Sequence, residues 1–361
     1  MMSVSALLSN QRRACSRLFV CLPGHPMHLA LPFHPEWTGG RTTATALADL
    51  QATGVTALEL NLPPALGAAD SELWHTIVKL TRPDFILHLH APLPPASPGW
   101  PLVRELLREL AASQGAPPFL VVHAPPTTGG TGNSDDVHRW LARLLHTLPE
   151  GAQLALELGW DWGASTRLAA RWRRWRQQAT KRSGIDGRPQ GVGSGLGATV
   201  PQPALPRLGK GGPLDPSLAI NGWASSLRGA SFSAAGTRAA TLALVNAVGD
   251  PRLRIAWDLA HDWLGGPWSG EHGWTTVPDR EFLKSVSYVR LHDVADDGTD
   301  HLPLVVGNVP YTTQLRSLLR TPFDGPVCVA MRHTGAAARL GSRAELQATS
   351  LAVARHVLRI S

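Results

Sequence analysis

The chain has 361 residues, 43% of them hydrophobic and 17% charged, enough apolar surface for a sizeable core and too much for a wholly disordered polymer. It has no uncharged apolar run of about 18 residues, so no spanning helix is expected, and Cys15, Cys21 and Cys328 cannot form a disulfide framework and read as thiols of a reducing cytoplasm. Residues 163–236 hold eleven Lys or Arg against two Asp, which leaves −2 of the +7 net charge for the rest of the chain. The basic character therefore belongs to one segment and argues against a nucleic-acid footprint spread over the whole chain.

Residues 1–26 read as a disordered leader. Arg12 and Arg13 precede a short apolar stretch that Pro23 and Gly24 interrupt, whereas a secretory signal needs a longer apolar centre. From Met27 onward strand-like and helix-like segments alternate. Strands are expected at Leu29–Phe33, Thr56–Leu62, Phe85–His90, Phe119–His123, Leu154–Leu158, Arg254–Asp258, Tyr288–His292 and Val327–Arg332. Amphipathic segments lie between them, among them Thr43–Gln51, Leu102–Ala112, Val137–Leu148 and Glu345–Leu358.

Eight such units over residues 27–361 predict a single (β/α)8 TIM barrel. A doubly wound sheet is the alternative, and no Gly-x-Gly-x-x-Gly turn follows the first strand to support it. Residues 163–236 form a Gly/Pro/Arg-rich insertion after the fifth strand, expected to be mostly disordered. Its start places Trp172 and Trp175 among arginines, which suits either a polyanion or membrane surface, or two Trp docked on the barrel.

Barrel chemistry sits where strands end at the C-terminal face. Here those ends carry His90, His123, Glu157, Asp258 with His261, and His292, and the loop after the seventh strand carries Asp300 and His301. One such residue would be unremarkable. Five successive units supplying His, Asp or Glu bring these groups to one mouth, where gathered carboxylates repel and a divalent cation relieves the cost. Mixed carboxylate and imidazole ligands suit Zn, Mn, Co or Fe, and Mg less well. His34, Glu36 and the Trp257, Trp263, Trp268, Trp274 group are weaker candidates for the same pocket. Glu59 either points into the site or forms an ion pair at the barrel floor with Arg290.

The ordered series LHAP, VVHAP, LALEL, WDLAH, RLHD and HLPLVVGN resembles the xylose isomerase-like barrel superfamily, which holds sugar isomerases and epimerases and the endonuclease IV-type AP endonucleases. The resemblance implies that Glu157, Asp258 and His292 are metal ligands. It implies that His261 is a substrate-binding or ligating histidine, and that His90, His123, Asp300 and His301 resemble the extra ligands of the endonuclease site. The family's strand-eight Glu is missing: the chain reads Val-Cys-Val-Ala-Met-Arg from Val327 to Arg332. If Cys328 points inward, alternation brings Arg332 inward as well, where it would clamp a substrate phosphate or carboxylate.

The resemblance implies an isomerase, which is expected to be cytoplasmic. It would take a divalent metal (Mn, Zn, Co or Mg) and a sugar or sugar phosphate, with Glu157 and His261 moving protons and His90, His123, His261, His301 and Arg332 binding substrate. The alternatives are an AP endonuclease-like phosphodiesterase, or a degenerate barrel that binds a partner.

Overall fold

The computed structural model describes residues 27–33, 42–63, 66–67, 70–81, 85–93, 96–127, 134–158, 232–233, 236–265, 277–295, 299–307, 309–332 and 337–359. The leader, nearly all of the insertion, and His34, Glu36, Trp172, Trp175, Trp268 and Trp274 lie outside those residues.

Eight short apolar runs become strands: β1 (Leu29–Phe33), β2 (Ala57–Asn61), β3 (Ile86–His90), β4 (Phe119–His123), β5 (Gln153–Glu157), β6 (Leu253–Asp258), β7 (Val286–Leu291) and β8 (Val327–Val329). They pair in chain order, all parallel, and close when β8 returns to β1 with Val327 opposite Leu29. The chain is a (β/α)8 TIM barrel. β8 is shorter than the sequence suggests, because its ladder to β1 extends only from Val327 to Cys328.

Alternation along each strand sorts the side chains into two populations. Leu31, Leu58, Leu60, Leu87, Leu89, Leu154, Leu156, Ile255, Val289 and Leu291 belong to the large core between strands and helices. Ala30, Ala57, Phe119, Val121, Ala155, Ala256, Tyr288, Cys328 and Ala330 form a second cluster that fills the barrel itself. Small residues outnumber large ones there, and this leaves room for the charged residues higher on the same faces.

The surrounding helices are α1 (Thr43–Ala52), α2 (Ser71–Thr81), α3 (Trp100–Ser113), α4 (Ser134–Thr147), α5 (Arg238–Val248), α6 (Leu259–Gly265), α7 (Arg280–Ser285), α8 (Tyr311–Leu318) and α9 (Arg343–Leu358). Local signals mark their starts. Thr42, Thr237 and Asp279 accept the backbone N–H three residues on, and Ser342 with Glu345 makes a reciprocal capping box. Gly249 ends α5 at φ +67, a left-handed conformation that favours glycine.

Two residues from the far end of the insertion, Phe232–Ser233, pair antiparallel with Pro126–Thr127 in the loop after β4. The chain therefore re-enters the fold at the rim, beside His123. Among the described residues, no helix is long and apolar enough to cross a membrane.

Candidate metal centre

Parallel register raises the polar ends of neighbouring strands to one mouth. Asn61 lies opposite His90, His123 opposite Glu157, and Asp258 opposite Arg290. Glu157, Asp258, His261, Arg290, His292 and His301 are all buried.

Glu157 is the hub. Its Oε2 accepts from Arg290 Nη1 at 2.9 Å and lies 3.4 Å from His90 Nε2 and 3.5 Å from His123 Nε2. Its Oε1 faces His261 Nδ1 at 3.2 Å, without the alignment of a hydrogen bond, and both atoms are buried with no hydrogen-bond partner. Asp258 Oδ2 approaches the same Nδ1 at 3.4 Å. Ligand atoms about 3 Å apart correspond to bonds of roughly 2.0–2.2 Å to a shared ion. Glu157, Asp258 and His261 thus present three ligand atoms within 4.8 Å of one another. Two buried atoms left unpaired would be costly without a ligand, so the residues fit a divalent cation.

Asp258 has two uses. Its Oδ1 accepts the backbone N–H groups of Ala260 and His261 at 3.0 and 2.9 Å and fixes the start of α6. That turn swings His261 back over the strand end, which explains why a residue three positions on joins the same site.

His292 sits deeper in a bonded role. Its Nδ1 accepts the backbone N–H of His301 at 3.0 Å, so a neutral ring carries its proton on Nε2 and donates it to Asp258 Oδ2 at 3.1 Å. In this arrangement His292 orients Asp258, while His261 offers the third ligand atom. The rings of His261, His292 and His301 still form a second group with ligand atoms within 4.8 Å.

His90 and His123 form a third group with Glu157. Asn61 Nδ2 donates to Glu59, which turns Asn61 Oδ1 toward His90 Nδ1 at 2.7 Å. His90 Nδ1 is therefore the donor, and its Nε2 is left as an acceptor facing His123 Nε2 at 2.8 Å.

The floor of the site is an ion-pair ladder. Arg290 Nη2 donates to Glu59 Oε1 at 3.1 Å, and Tyr288 donates to Glu59 Oε2 at 3.0 Å. Glu59 is thus the floor ion pair rather than a site residue. Arg290 does more than pair with Glu59, because it ties that carboxylate to Glu157, a link that reading each strand alone misses. The period-two series Glu59–Asn61, His88–His90 and Arg290–His292 carried the available signal: polar residues at successive inward positions.

The loop after β7 is held by Asp293. Its carboxylate accepts from Val294, Val309 and Gly307 at 2.9, 3.0 and 2.8 Å, and its backbone bridges to Leu302. This presents His301 at φ +55, a left-handed conformation uncommon outside glycine. Asp300 stands between His301 Nδ1 at 3.3 Å and His261 Nε2 at 3.8 Å.

No family model matches the chain. No curated protein matches it either. Solved structures do. A xylose isomerase domain protein from Alicyclobacillus acidocaldarius subsp. acidocaldarius matches with TM-score 0.54 and 16% identity, over 92% of this chain and 98% of that one. The chain shares the barrel fold of that protein. A D-psicose 3-epimerase from Clostridium cellulolyticum H10, solved with D-tagatose, matches at TM-score 0.53 and 9% identity, covering 92% and 99% of the two chains. A probable 3-DHS dehydratase from Bacillus anthracis matches at 0.51 and 12%, covering 91% and 99%. At such identities the likeness shows the fold and leaves the chemistry to the site.

In this barrel, β8 brings no carboxylate to the mouth. Cys328 and Ala330 do belong to the interior cluster. Arg332 follows them, half-buried, with its backbone N–H donating to His301 O at 2.8 Å. Burial holds the His301 ring well below the usual histidine range, with His292 and the Arg332 charge adding to the effect.

The other charges interlock. Burial opposes ionisation of Glu157, but Arg290, His123, His261 and His90 together hold its carboxyl well below the usual range. Burial likewise opposes charge on His261, but Asp258, Asp300 and Glu157 outweigh it and raise the ring to about 10. Burial lowers His123 to about 4 against the pull of Glu157, and lowers His88 to about 3.

These shifts set the pH dependence of the metal-free protein. Between the usual value of 6.5 and about 10 the folded state holds a proton on His261 that the unfolded chain releases, so stability falls as pH rises there. Below 6.5 the unfolded chain protonates residues 88 and 123 while the folded state resists down to about 3 and about 4, so stability falls as pH drops. Denaturant midpoints measured with chelator should peak near pH 6.5 and fall on both sides; a plateau from pH 6.5 to 9 would contradict the assigned charge on His261.

Proposed function

We propose that this barrel is a divalent-metal-dependent isomerase or epimerase of a sugar or sugar phosphate. The observation that carries the reading is the buried pair Glu157 Oε1 and His261 Nδ1, which face each other at 3.2 Å with no hydrogen bond to either atom, with Asp258 Oδ2 closing the triangle. The same fold in a D-psicose 3-epimerase supports a sugar substrate.

Glu157, Asp258 and His261 would hold the ion, with His292 oriented against Asp258. A bound divalent ion would polarise a carbonyl and its neighbouring hydroxyl and so acidify the adjacent C–H. Glu157 is the proton acceptor at that carbon. Arg290 keeps it ionised by fixing Oε2, and Oε1 has no hydrogen bond to break first. Glu157 would hold the ion and take the proton through the same oxygen, Oε1, because Arg290 occupies Oε2. The proton returns to the neighbouring carbon from the same carboxyl group, while His261 Nε2, beside Asp300 at 3.8 Å, would give its proton to the carbonyl oxygen and take the hydroxyl's in exchange. A one-base 1,2-shift needs nothing further from the chain. Epimerisation from two faces needs a second base, a role that His261 or His301 would have to fill. His90, His123 and His301 would contact the substrate at the mouth, and Arg332 would receive a phosphate or carboxylate on it.

A second reading, a phosphodiesterase related to the AP endonucleases, is favoured by the His90, His123 and Glu157 group, whose three ligand atoms also lie within 4.8 Å of one another.

Elemental analysis of protein purified without chelator tests both. About one equivalent of a transition metal, lost in His261→Ala, is expected, with turnover of sugar or sugar phosphate. Two or more equivalents with cleavage of abasic DNA would favour the second reading. No metal after reconstitution with Mn, Zn or Co would overturn both and leave a partner-binding barrel. Arg332→Glu should raise metal affinity by roughly tenfold by placing a carboxylate at the mouth; unchanged affinity would remove Arg332 from the pocket.

A further inference from the structure

Behind the site, on the outer side of β6, a buried ion pair joins two helices. Arg238 Nε donates to Asp262 Oδ1 and Oδ2 at 3.0 and 2.8 Å, and its Nη2 donates to Oδ2 at 2.6 Å. Trp257 Nε1 donates to the same Oδ2 at 3.0 Å, and the Arg238 guanidinium lies over the Trp257 ring at 5.8 Å. All three residues are buried.

Arg238 is the first residue of α5, following the capping Thr237. A cation is electrostatically disfavoured in a helix's first turn. Its place there is explained by tertiary pairing, since no local preference selects it.

Sequence adjacency connects this clamp to the site. Trp257 precedes Asp258 on β6, and Asp262 follows His261 on α6. On the inner side Asp258 Oδ1 accepts from the His261 backbone; on the outer side Trp257 and Arg238 grip Asp262. The turn carrying His261 is therefore held from both faces. We infer that Arg238 and Asp262 are positioning residues that set the His261 ring against Glu157 and Asp258. The inference rests on the proposed use of His261 in the site, and it makes that site dependent on how α5 is seated.

The test uses full-length Asp262→Asn and Arg238→Lys with Co²⁺ alone as probe, together with ring ¹⁵N spectra of the chelated protein in which the His261 signals are identified by their loss in His261→Ala. Asp262→Asn should weaken Co²⁺ binding by about 10–100-fold and move the His261 ring signals, with Arg238→Lys intermediate. Unmoved His261 signals and Co²⁺ affinity within about twofold, alongside a lowered Tm, would reduce the clamp to a stability element and overturn the inference. If the wild type binds no Co²⁺, the metal reading fails, and the ring signals still decide positioning. Should Asp262→Asn not fold, Trp257→Phe removes a single hydrogen bond while keeping an aromatic ring, and it should move the same signals in the same direction.

Discussion

Arg290→Met is expected to lower stability at neutral pH by about 3–5 kcal/mol, the cost of leaving buried charge without its partner. Arg290 donates to Glu157 at 2.9 Å and to Glu59 at 3.1 Å, and both carboxylates are fully buried. Methionine fills much of the arginine's volume, so the loss is chiefly electrostatic. The variant should also flatten the acid limb of the pH profile. In the native protein Arg290 is the largest influence holding the Glu157 carboxyl down against burial. Without it burial pushes Glu157 up, the folded state binds a proton that the unfolded chain lacks, and stability falls less steeply as pH is lowered toward 5. Urea midpoints at pH 7 and 5 read this directly. A variant as stable as the native protein at pH 7 would show that the ion-pair ladder does not support the barrel.

Gly307→Ala should be the most damaging methyl addition in the site loop. A Cβ at Gly307 would fall inside the van der Waals envelope of the Val294 carbonyl oxygen and the Asp293 carboxylate. Both belong to the arrangement that presents His301: Asp293 Oδ2 accepts the Gly307 N–H at 2.8 Å, and Oδ1 accepts those of Val294 and Val309. The backbone has to move, at a cost typical of overpacking, about 1–3 kcal/mol. The larger effect should be on turnover, because displacing this loop displaces Asp300 and His301. Expected are a lowered Tm and at least a roughly 100-fold loss of kcat/KM on whichever sugar or sugar phosphate the native protein turns over. A tolerated alanine with native activity would show that the loop is not held as the hydrogen bonds indicate.

Both predictions concern contacts that cross the barrel. The strands themselves were legible locally. Leu29–Phe33 and Phe119–His123 were readable to the residue, because a buried parallel strand is a short apolar run with turn signals at its ends. The site's composition was legible for the same reason, since polar residues at the ends of such runs must gather at one mouth once the barrel closes. Val327–Val329 is shorter than its apolar run suggests, because ladder length depends on the neighbouring strand and leaves no local mark.

The eight-unit alternation, the closed parallel barrel it implies, and the list of groups at the strand ends can be read from the chain's residues alone. Periodicity encodes all three over a few residues at a time. Only the tertiary structure decided what those groups do to one another. Arg290 reaches Glu157 across 133 positions and Glu59 across 231. Asn61 sets which nitrogen of His90 is free. His301 occupies the Nδ1 of His292 through its own backbone and leaves His261 facing Glu157 and Asp258. Such relations depend on strand register, helix seating and ring orientation, which are fixed when the barrel closes and which no local pattern records.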